Sequence, residues 1–216
     1  MKAIIYVEGS SDKLALEALL NPLIEQKLQE GVTIEIFETP EGDRKASLLT
    51  KVPHKAINIL MNDPTAVVAA VPDLYPKNKG FPHETYQDLV RGLTSRFEQA
   101  CQKKGHQQDE RINRRFKVFC FKHDLEVLIL AAEESLCAQL GVASLGVSWR
   151  KPVEDQNQDH PPKYVVEEIY RRHGQKYKGT VDAPLIFRGV SYHQIAERCP
   201  QCFGPFVEFL ENLQDV

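Results

Sequence analysis

The stretch KAIIYVEGSSD, residues 2–12, decides the fold of this chain. Its first six residues are an apolar run that stops abruptly at Glu8-Gly9, a pattern typical of a strand buried inside a parallel sheet. Apolar residues then recur at helical spacing from Leu14 onward, and either of the two preceding serines can cap that helix. This stretch therefore predicts a buried strand that leads directly into a helix, with a helical restart at Asn21-Pro22.

The same alternation of strand and helix continues along the chain. Further strands are predicted at residues 32–37 (VTIEIF), 66–71 (AVVAAV) and 115–121 (RFKVFCF). Further helices are predicted at 43–61, with an interruption at Pro53, and at 84–103 and 124–140. This order predicts an α/β fold with a mostly parallel sheet flanked by helices. A polar connector at 150–163 and short helical segments at 164–173, 191–198 and 203–213 follow. We expect an α/β core over residues 1–145 and a helical C-terminal appendage over residues 146–216, packed on or near the core.

Composition restricts the class of protein. The 216 residues carry 27 basic and 30 acidic side chains, a net charge of −3, which excludes a globally basic nucleic-acid binder but not a local basic groove. No apolar run approaches the roughly 18 residues that span a bilayer, and the first residues do not form a signal peptide. We therefore expect a cytoplasmic protein without a membrane partner.

Cys199 and Cys202 have the spacing of a zinc or redox motif, but we interpret them as ordinary reduced thiols at a helix start.

Carboxylates follow three of the predicted strands. Glu8 follows the first strand, Asp73 the third, and Asp124 and Glu126 the fourth, while Asp12 lies one helical turn beyond Glu8. Ligands bind at the carboxyl ends of parallel strands, so we expect these groups to converge there. Converging carboxylates repel one another unless a cation is present, and hard oxygen ligands suit Mg²⁺ or Mn²⁺. The pattern predicts metal-assisted phosphoryl transfer or phosphodiester hydrolysis.

Individual members of this set also have structural explanations. Asp12 could complement a helix dipole, Asp73 could cap a turn, and Asp124 could cap its helix, which would leave Glu126 as the inward-reaching group. Glu8 has no such duty at the end of its strand.

The motif VEGSSD at residues 7–12 resembles the first motif of the Toprim fold, which occurs in topoisomerases, DnaG-type primases, recombination proteins and the overcoming-lysogenization-defect (OLD) nucleases. The second Toprim motif, Asp-x-Asp, corresponds here to Asp73-Leu74-Tyr75, with tyrosine in place of the second aspartate. The chain more closely resembles a Toprim-like family of uncharacterised bacterial proteins, domain-of-unknown-function family 4276. Further motifs carry that resemblance: Phe81-Pro82, His123-Asp124-Leu125-Glu126, Pro161-Pro162, Tyr177-Lys178-Gly179 and Cys199-Pro200-Gln201-Cys202-Phe203.

The resemblance implies a Toprim-like metal site. Glu8 would be the catalytic acid or base and a metal ligand, and Asp73 a metal ligand binding Mg²⁺ or Mn²⁺. The other carboxylates would be further metal ligands or would support the ligands: Asp12, Asp124 and Glu126. Three more residues would have a supporting role: Gly9, Tyr75 and His123. Family members are similar to nucleases of phage defence, often beside an ATPase partner.

A phosphodiester substrate requires cations along its backbone. Lys77 and Lys79 flank the expected site, and Arg171, Arg172 and Lys178 form a second basic group that could bind nucleic acid or complement a helix C-terminus. Arg111 to Arg115 precede a strand and are interpreted as a solvated face.

Two functional hypotheses follow. The first is a metal-dependent nuclease or related phosphoryl-transfer enzyme acting on nucleic acid, serving in phage defence with an ATPase partner. The alternative is a catalytically degenerate Toprim module that binds nucleic acid or a protein partner, which Tyr75 favours. A small-molecule enzyme is disfavoured because no glycine-rich phosphate fingerprint follows the first strand.

Overall fold

The computed structural model describes residues 1–40, 42–106, 109–155 and 160–214. Contacts between Cα atoms divide the chain into two units. The sheet unit contains Met1–Gly9, Ile24–Cys120 and the chain from Leu213 onward; the helical unit contains Ser10–Leu23 and Phe121–Asn212. This division differs from the boundary at residue 145, so the expected domain organisation stays a prediction.

The sheet unit contains a four-stranded sheet in the order β2-β1-β3-β4, formed by β1 (Lys2–Val7), β2 (Thr33–Glu38), β3 (Ala66–Val71) and β4 (Phe116–Val118). Every neighbouring pair is parallel, which confirms the predicted α/β fold class. The predicted length of the fourth strand is wrong. Its continuous ladder ends with the bond from the Phe119 N–H to the Ala70 carbonyl, because the next donor on the side of β3 would be Pro72, which has no N–H.

Three helices of the sheet unit are α2 (Arg44–Asn62), α3 (Tyr86–Lys103) and α4 (Glu110–Arg114), and the end of α1 (Ser10–Gln29) also belongs to it. Helices α2 and α3 bury their apolar faces with one face of the sheet. Asp43 caps α2 and Thr85 forms a capping box with Asp88 at the start of α3. The predicted interruption at Pro53 is wrong, because α2 runs unbroken from Arg44 to Asn62. The predicted restart at Pro22 is also wrong. Helix α1 continues through it because buried leucines flank the proline on the same helix.

The helical unit consists of the start of α1 with α5 (Glu126–Ala131), α6 (Glu133–Leu140), α7 (Pro162–Arg172), α8 (Gly179–Phe187), α9 (Tyr192–Arg198) and α10 (Phe203–Glu211). The single helix predicted over residues 124–140 is wrong, because it breaks at Ala132. Arg198 stabilises this break. Its Nη1 donates to the Ala131 carbonyl at 2.6 Å, and its guanidinium forms two 2.7 Å bonds with Glu134.

The Cys-x-x-Cys turn leads into α10, as expected for thiols at a helix start. Glu154 is fully buried, and its carboxylate accepts the backbone N–H groups of Gln201 at 2.6 Å and Cys202 at 2.7 Å. A longer bond of 3.4 Å reaches the N–H of Phe203. Burial raises the pKa of the Cys202 thiol to about 12 and also raises that of Cys199. Both thiols are therefore protonated, packed side chains.

Among the described residues, no helix combines the length and the apolar character that crossing a membrane requires.

Candidate functional site at the carboxyl ends of the strands

Glu8 and Asp73 come together in the sheet unit. Glu8 follows β1 directly, Asp73 lies just beyond β3, and the two strands are adjacent with Val7 paired to Val71. The Glu8 Oε1 atom accepts the backbone N–H of Asp73 at 3.0 Å. The structure therefore places these two predicted site residues side by side at one edge of the sheet, with the orientation of the Glu8 carboxylate fixed by a main-chain donor.

Lys45 belongs to the same edge and was not predicted. Its side chain is only 3% exposed, and its Nζ atom donates to the carbonyls of Asp73 at 2.7 Å and Leu74 at 2.8 Å. Burial lowers the pKa of Lys45, whereas the negative charges of Glu8 and Asp73 raise it. A signal was available in the sequence: a lysine in the first turn of a helix lies at the end where the helix dipole disfavours a cation.

The loop after Asp73 carries the two lysines predicted to bind nucleic acid. Lys77 pairs with Glu84 at 3.5 Å, and Lys79 pairs with Asp43 at 2.8 Å. The Lys77 ammonium also lies 5.2 Å from the centre of the Tyr75 ring, which packs against the core of the sheet unit. Both cations are thus held by local carboxylates, and their role in nucleic-acid binding stays a prediction.

His83 is another buried polar residue of this loop that the sequence did not indicate. It is 2% exposed, and its Nδ1 atom lies 2.8 Å from the Phe81 carbonyl oxygen. Burial lowers the pKa of His83, so the ring is neutral at neutral pH. A neutral histidine adds no charge to the neighbouring carboxylates.

A glycine in α3 holds this loop in place. A Cβ atom at Gly92 would lie 2.1 Å from Cε2 of Phe81. We expect Gly92→Ala to displace the Phe81 ring and to lower the free energy of unfolding by about 1–2 kcal/mol, despite the better helix propensity of alanine. Urea unfolding measures the effect, with Gln99→Ala on the exposed side of α3 as control. Unchanged stability of Gly92→Ala would contradict this packing.

The other three predicted metal ligands, Asp12, Asp124 and Glu126, lie in the helical unit. Burial raises the pKa of both Asp124 and Glu126; the charge of Glu126 adds to the shift of Asp124, and the charge of Asp12 adds to that of Glu126. The positive charge of Lys163 opposes both shifts, and its backbone N–H donates to Asp124 Oδ2 at 3.3 Å. These carboxylates therefore form one electrostatically coupled group.

Two residues of the Tyr-Lys-Gly motif lie against this group. The Tyr177 hydroxyl is buried and has no hydrogen-bond partner among the described residues. It lies close enough to the Glu126 carboxyl to oppose the rise in the pKa of Glu126. A Cβ atom at Gly179 would lie 3.2 Å from Cβ of Ser11 and 3.9 Å from Oε1 of Glu126. The starts of α1, α5 and α8 therefore meet closely here, and no pattern in the sequence indicated that Tyr177 lies near Glu126.

The remaining predicted residues are found as follows. Arg171 and Arg172 end α7 and both pair with Glu168, while Lys178 is exposed just before α8. Gly9 is buried between β1 and α1, and His123 is buried with a φ of 85°, a backbone conformation uncommon for a residue with a side chain. Their predicted roles are untested by this geometry.

The donor chemistry suits a hard cation. Within the described ranges, no three His, Cys, Asp or Glu side chains are already arranged to hold a metal ion. The available donors are nevertheless all carboxylate oxygens, which Mg²⁺ and Mn²⁺ prefer. Asp124 Oδ1 is buried and has no hydrogen-bond partner in the described part of the chain, so an acceptor is present that a cation would satisfy.

These features define an α/β protein with carboxylates and a buried lysine at the carboxyl ends of a parallel sheet. The chain belongs to the family described as Domain of unknown function (DUF4276), whose model matches residues 7–211. The membership predicted from the motifs is thus confirmed.

Two solved structures are similar to the chain. One is the C-terminal region of the Burkholderia pseudomallei OLD protein, with 14% identity and a TM-score of 0.46, covering 97% of each chain. The other is the C-terminal region of the Xanthomonas campestris pv. campestris OLD protein, with 16% identity and a TM-score of 0.43, covering 97% of this chain and 94% of that one. None of the curated proteins matches the sequence.

Proposed function

We propose that the protein is a Mg²⁺- or Mn²⁺-dependent nuclease, or a related phosphoryl-transfer enzyme acting on nucleic acid. One observation carries the proposal: the Glu8 carboxylate at the end of β1 is fixed by the backbone of Asp73, which follows the adjacent strand β3. A carboxylate in a fixed orientation beside a second carboxylate is suited to take a proton from an attacking water.

Each candidate residue has a separate duty in this proposal. In the sheet unit, Glu8 and Asp73 would be ligands of the cation. In the helical unit, taken by itself, the candidate cation ligands are Asp12, Asp124 and Glu126. When bound, Mg²⁺ or Mn²⁺ supplies Lewis-acid polarisation of a phosphoryl oxygen. Glu8 takes the proton of the attacking water, while its bond to the Asp73 N–H keeps the carboxylate from rotating away. Five basic residues would contact the phosphate backbone: Lys77, Lys79, Arg171, Arg172 and Lys178.

Four of these five cations must exchange an internal partner for phosphate. Lys77, Lys79, Arg171 and Arg172 are paired with protein carboxylates, and Lys178 is exposed. Exchanging one anionic partner for another adds little affinity, so binding of nucleic acid by this chain alone should be weak. A partner protein that adds contacts to nucleic acid would strengthen binding, which fits a cytoplasmic role in phage defence beside an ATPase partner. The resemblance of the motifs to those of OLD nucleases supports this role.

A specific observation favours the alternative of a degenerate binding module. Tyr75 occupies the position of the second Toprim aspartate, and its ring packs against the core beneath the Lys77 ammonium. A phenol in this setting does not replace a carboxylate ligand.

The first test is Mn²⁺ binding by calorimetry to the wild type and to Asp73→Asn. We expect the substitution to weaken binding by about tenfold or more, because it removes a charged ligand and keeps the side-chain shape. Glu98→Gln on the exposed surface of α3 is the matched control and should bind like the wild type. Failure of the folded wild type to bind Mn²⁺ would contradict independent catalysis and favour the binding module.

If Mn²⁺ binds, cleavage of single- and double-stranded DNA and RNA is the second test. Glu8→Gln should reduce the cleavage rate by about 100-fold or more, because an amide cannot accept the proton of the attacking water. Substrate-dependent cleavage that survives Glu8→Gln at the wild-type rate would contradict the role of Glu8.

A further inference from the structure

We propose that Lys45 is a resident cation of the Glu8–Asp73 pair, which takes the place of a second divalent cation and limits this pair to one. The inference rests on the proposed function, since it concerns the same carboxylates. It deepens that proposal by stating the metal stoichiometry at this edge of the sheet.

The ammonium group of Lys45 lies at the backbone of a predicted metal ligand. Lys45 reaches from the first turn of α2 to the backbone beyond β3, where its Nζ donates to the Asp73 and Leu74 carbonyls at 2.7 and 2.8 Å. Those two bonds fix the ammonium at the residue that the fold offers as a metal ligand. Lysine usually keeps its ammonium in water, so a side chain only 3% exposed is unusual.

Charged residues of both signs act on the Lys45 ammonium. The negative charges of Glu8 and Asp73 favour the charged form of Lys45, and the positive charge of Lys79 disfavours it. Lys79 is itself paired with Asp43 at 2.8 Å. A buried charge is normally compensated. The hydrogen bonds of the Lys45 ammonium go to two carbonyl oxygens, and the carboxylates of Glu8 and Asp73 supply the opposite charge that acts on it.

The charges of Glu8, Asp73 and Lys45 together limit how many divalent cations can bind. Two carboxylates and one ammonium leave a single net negative charge, which one divalent cation already exceeds. A second divalent cation would meet strong repulsion from the fixed ammonium. Tyr75 contributes no negative charge in the place of the second Toprim aspartate, so the pair lacks the carboxylate that would offset a further cation.

The experiment compares Mn²⁺ binding by calorimetry to wild type, Lys45→Gln and Lys45→Arg. Glutamine removes the charge but retains an N–H donor for one of the two carbonyls, and arginine retains both charge and donors. Loss of a neighbouring positive charge should tighten Mn²⁺ binding by about tenfold or more, or raise the stoichiometry by one ion. Lys45→Arg and the exposed control Lys51→Gln should both bind like the wild type.

Thermal unfolding provides the second readout and shows whether each variant is folded. Addition of Mn²⁺ should raise the Tm of Lys45→Gln more than that of the wild type, since a ligand that binds the folded state more tightly stabilises it more. A lysine that only supports the backbone would give equal or weaker Mn²⁺ binding in Lys45→Gln, and that result would overturn the proposal. If Lys45→Gln does not fold, Mn²⁺ binding to Lys45→Met is measured at low temperature instead. The same results would then support or overturn the proposal.

The outcomes separate this inference from the proposed function. Binding to Lys45→Gln but not to the wild type would support the resident cation and contradict metal-dependent catalysis by the native chain. If the wild type and Lys45→Gln bind Mn²⁺ equally, the proposal of a resident cation is overturned and the proposed function is not. Absence of binding in both would overturn both.

Discussion

Glu154→Ala is expected to lower the free energy of unfolding by about 3–5 kcal/mol, because it leaves up to three backbone donors without an acceptor. The Glu154 side chain is fully buried, and its two oxygens accept from Gln201, Cys202 and Phe203 at the start of α10. An alanine side chain has no oxygen to accept these bonds, so the donors would stay unsatisfied unless water entered the helical unit. Chemical denaturation followed by circular dichroism measures the loss.

A graded series makes this prediction specific. Glu154→Gln keeps one accepting oxygen but turns an NH₂ group toward a backbone donor. The free energy of unfolding should therefore fall substantially, but by less than in Glu154→Ala. Glu208→Ala, on the exposed surface of α10, is the matched control and should change stability by less than about 0.5 kcal/mol. A loss below about 1 kcal/mol in Glu154→Ala would show that this carboxylate does not hold the turn.

Arg115→Met should produce the second largest loss, about 2–4 kcal/mol in the free energy of unfolding. The Arg115 guanidinium donates to four carbonyls, those of Leu60 at 2.7 Å, Asp63 at 2.8 Å, Ala66 at 3.0 Å and Arg111 at 3.1 Å. The last carbonyls of α2 have no partner within the helix, and a cation there also complements the helix dipole. The interpretation of residues 111–115 as a solvated face is therefore wrong for Arg115.

The neighbouring arginine supplies the control for this experiment. Arg114 has a side chain that is 78% exposed and pairs only with Glu110 among the interactions of the described residues. Arg114→Met should cost less than about 0.5 kcal/mol, and Arg115→Lys should retain part of the stability because one ammonium reaches fewer carbonyls. Equal losses for Arg114→Met and Arg115→Met would contradict the importance of this network.

The sequence was most informative where a single local pattern determines the structure. Strands β1 and β3 were predicted with their observed bounds, because continuous apolar runs end at Glu8 and at Pro72. The short β4 was overestimated, since its length depends on where β3 ends. The break at Ala132 could not be predicted, because the arginine that stabilises it lies 67 residues beyond the carbonyl of Ala131 to which it donates.

The candidate site shows the same division. Glu8 and Asp73 were predicted from the rule that parallel strands present their carboxyl ends together. Lys45 and Glu154 act through residues 28 to 49 positions away, and no local pattern connects those positions. The residue type of Lys45 was nevertheless informative, because a lysine at a helix N-terminus requires a partner that the local sequence lacked. A glutamate in a polar connector is normally solvated, so Glu154 gave no such signal.

The two outer strands of the sheet bear on self-association. Within the described residues, β2 and β4 each pair on one side only. Glu35 of β2 forms an ion pair with Lys2 at 2.8 Å, and Glu38 lies 3.8 Å from Arg44. A second copy that added a strand beside β2 would have to desolvate these charges, and β4 offers only three residues for pairing. The sheet is thus protected at both borders against extension into a fibre.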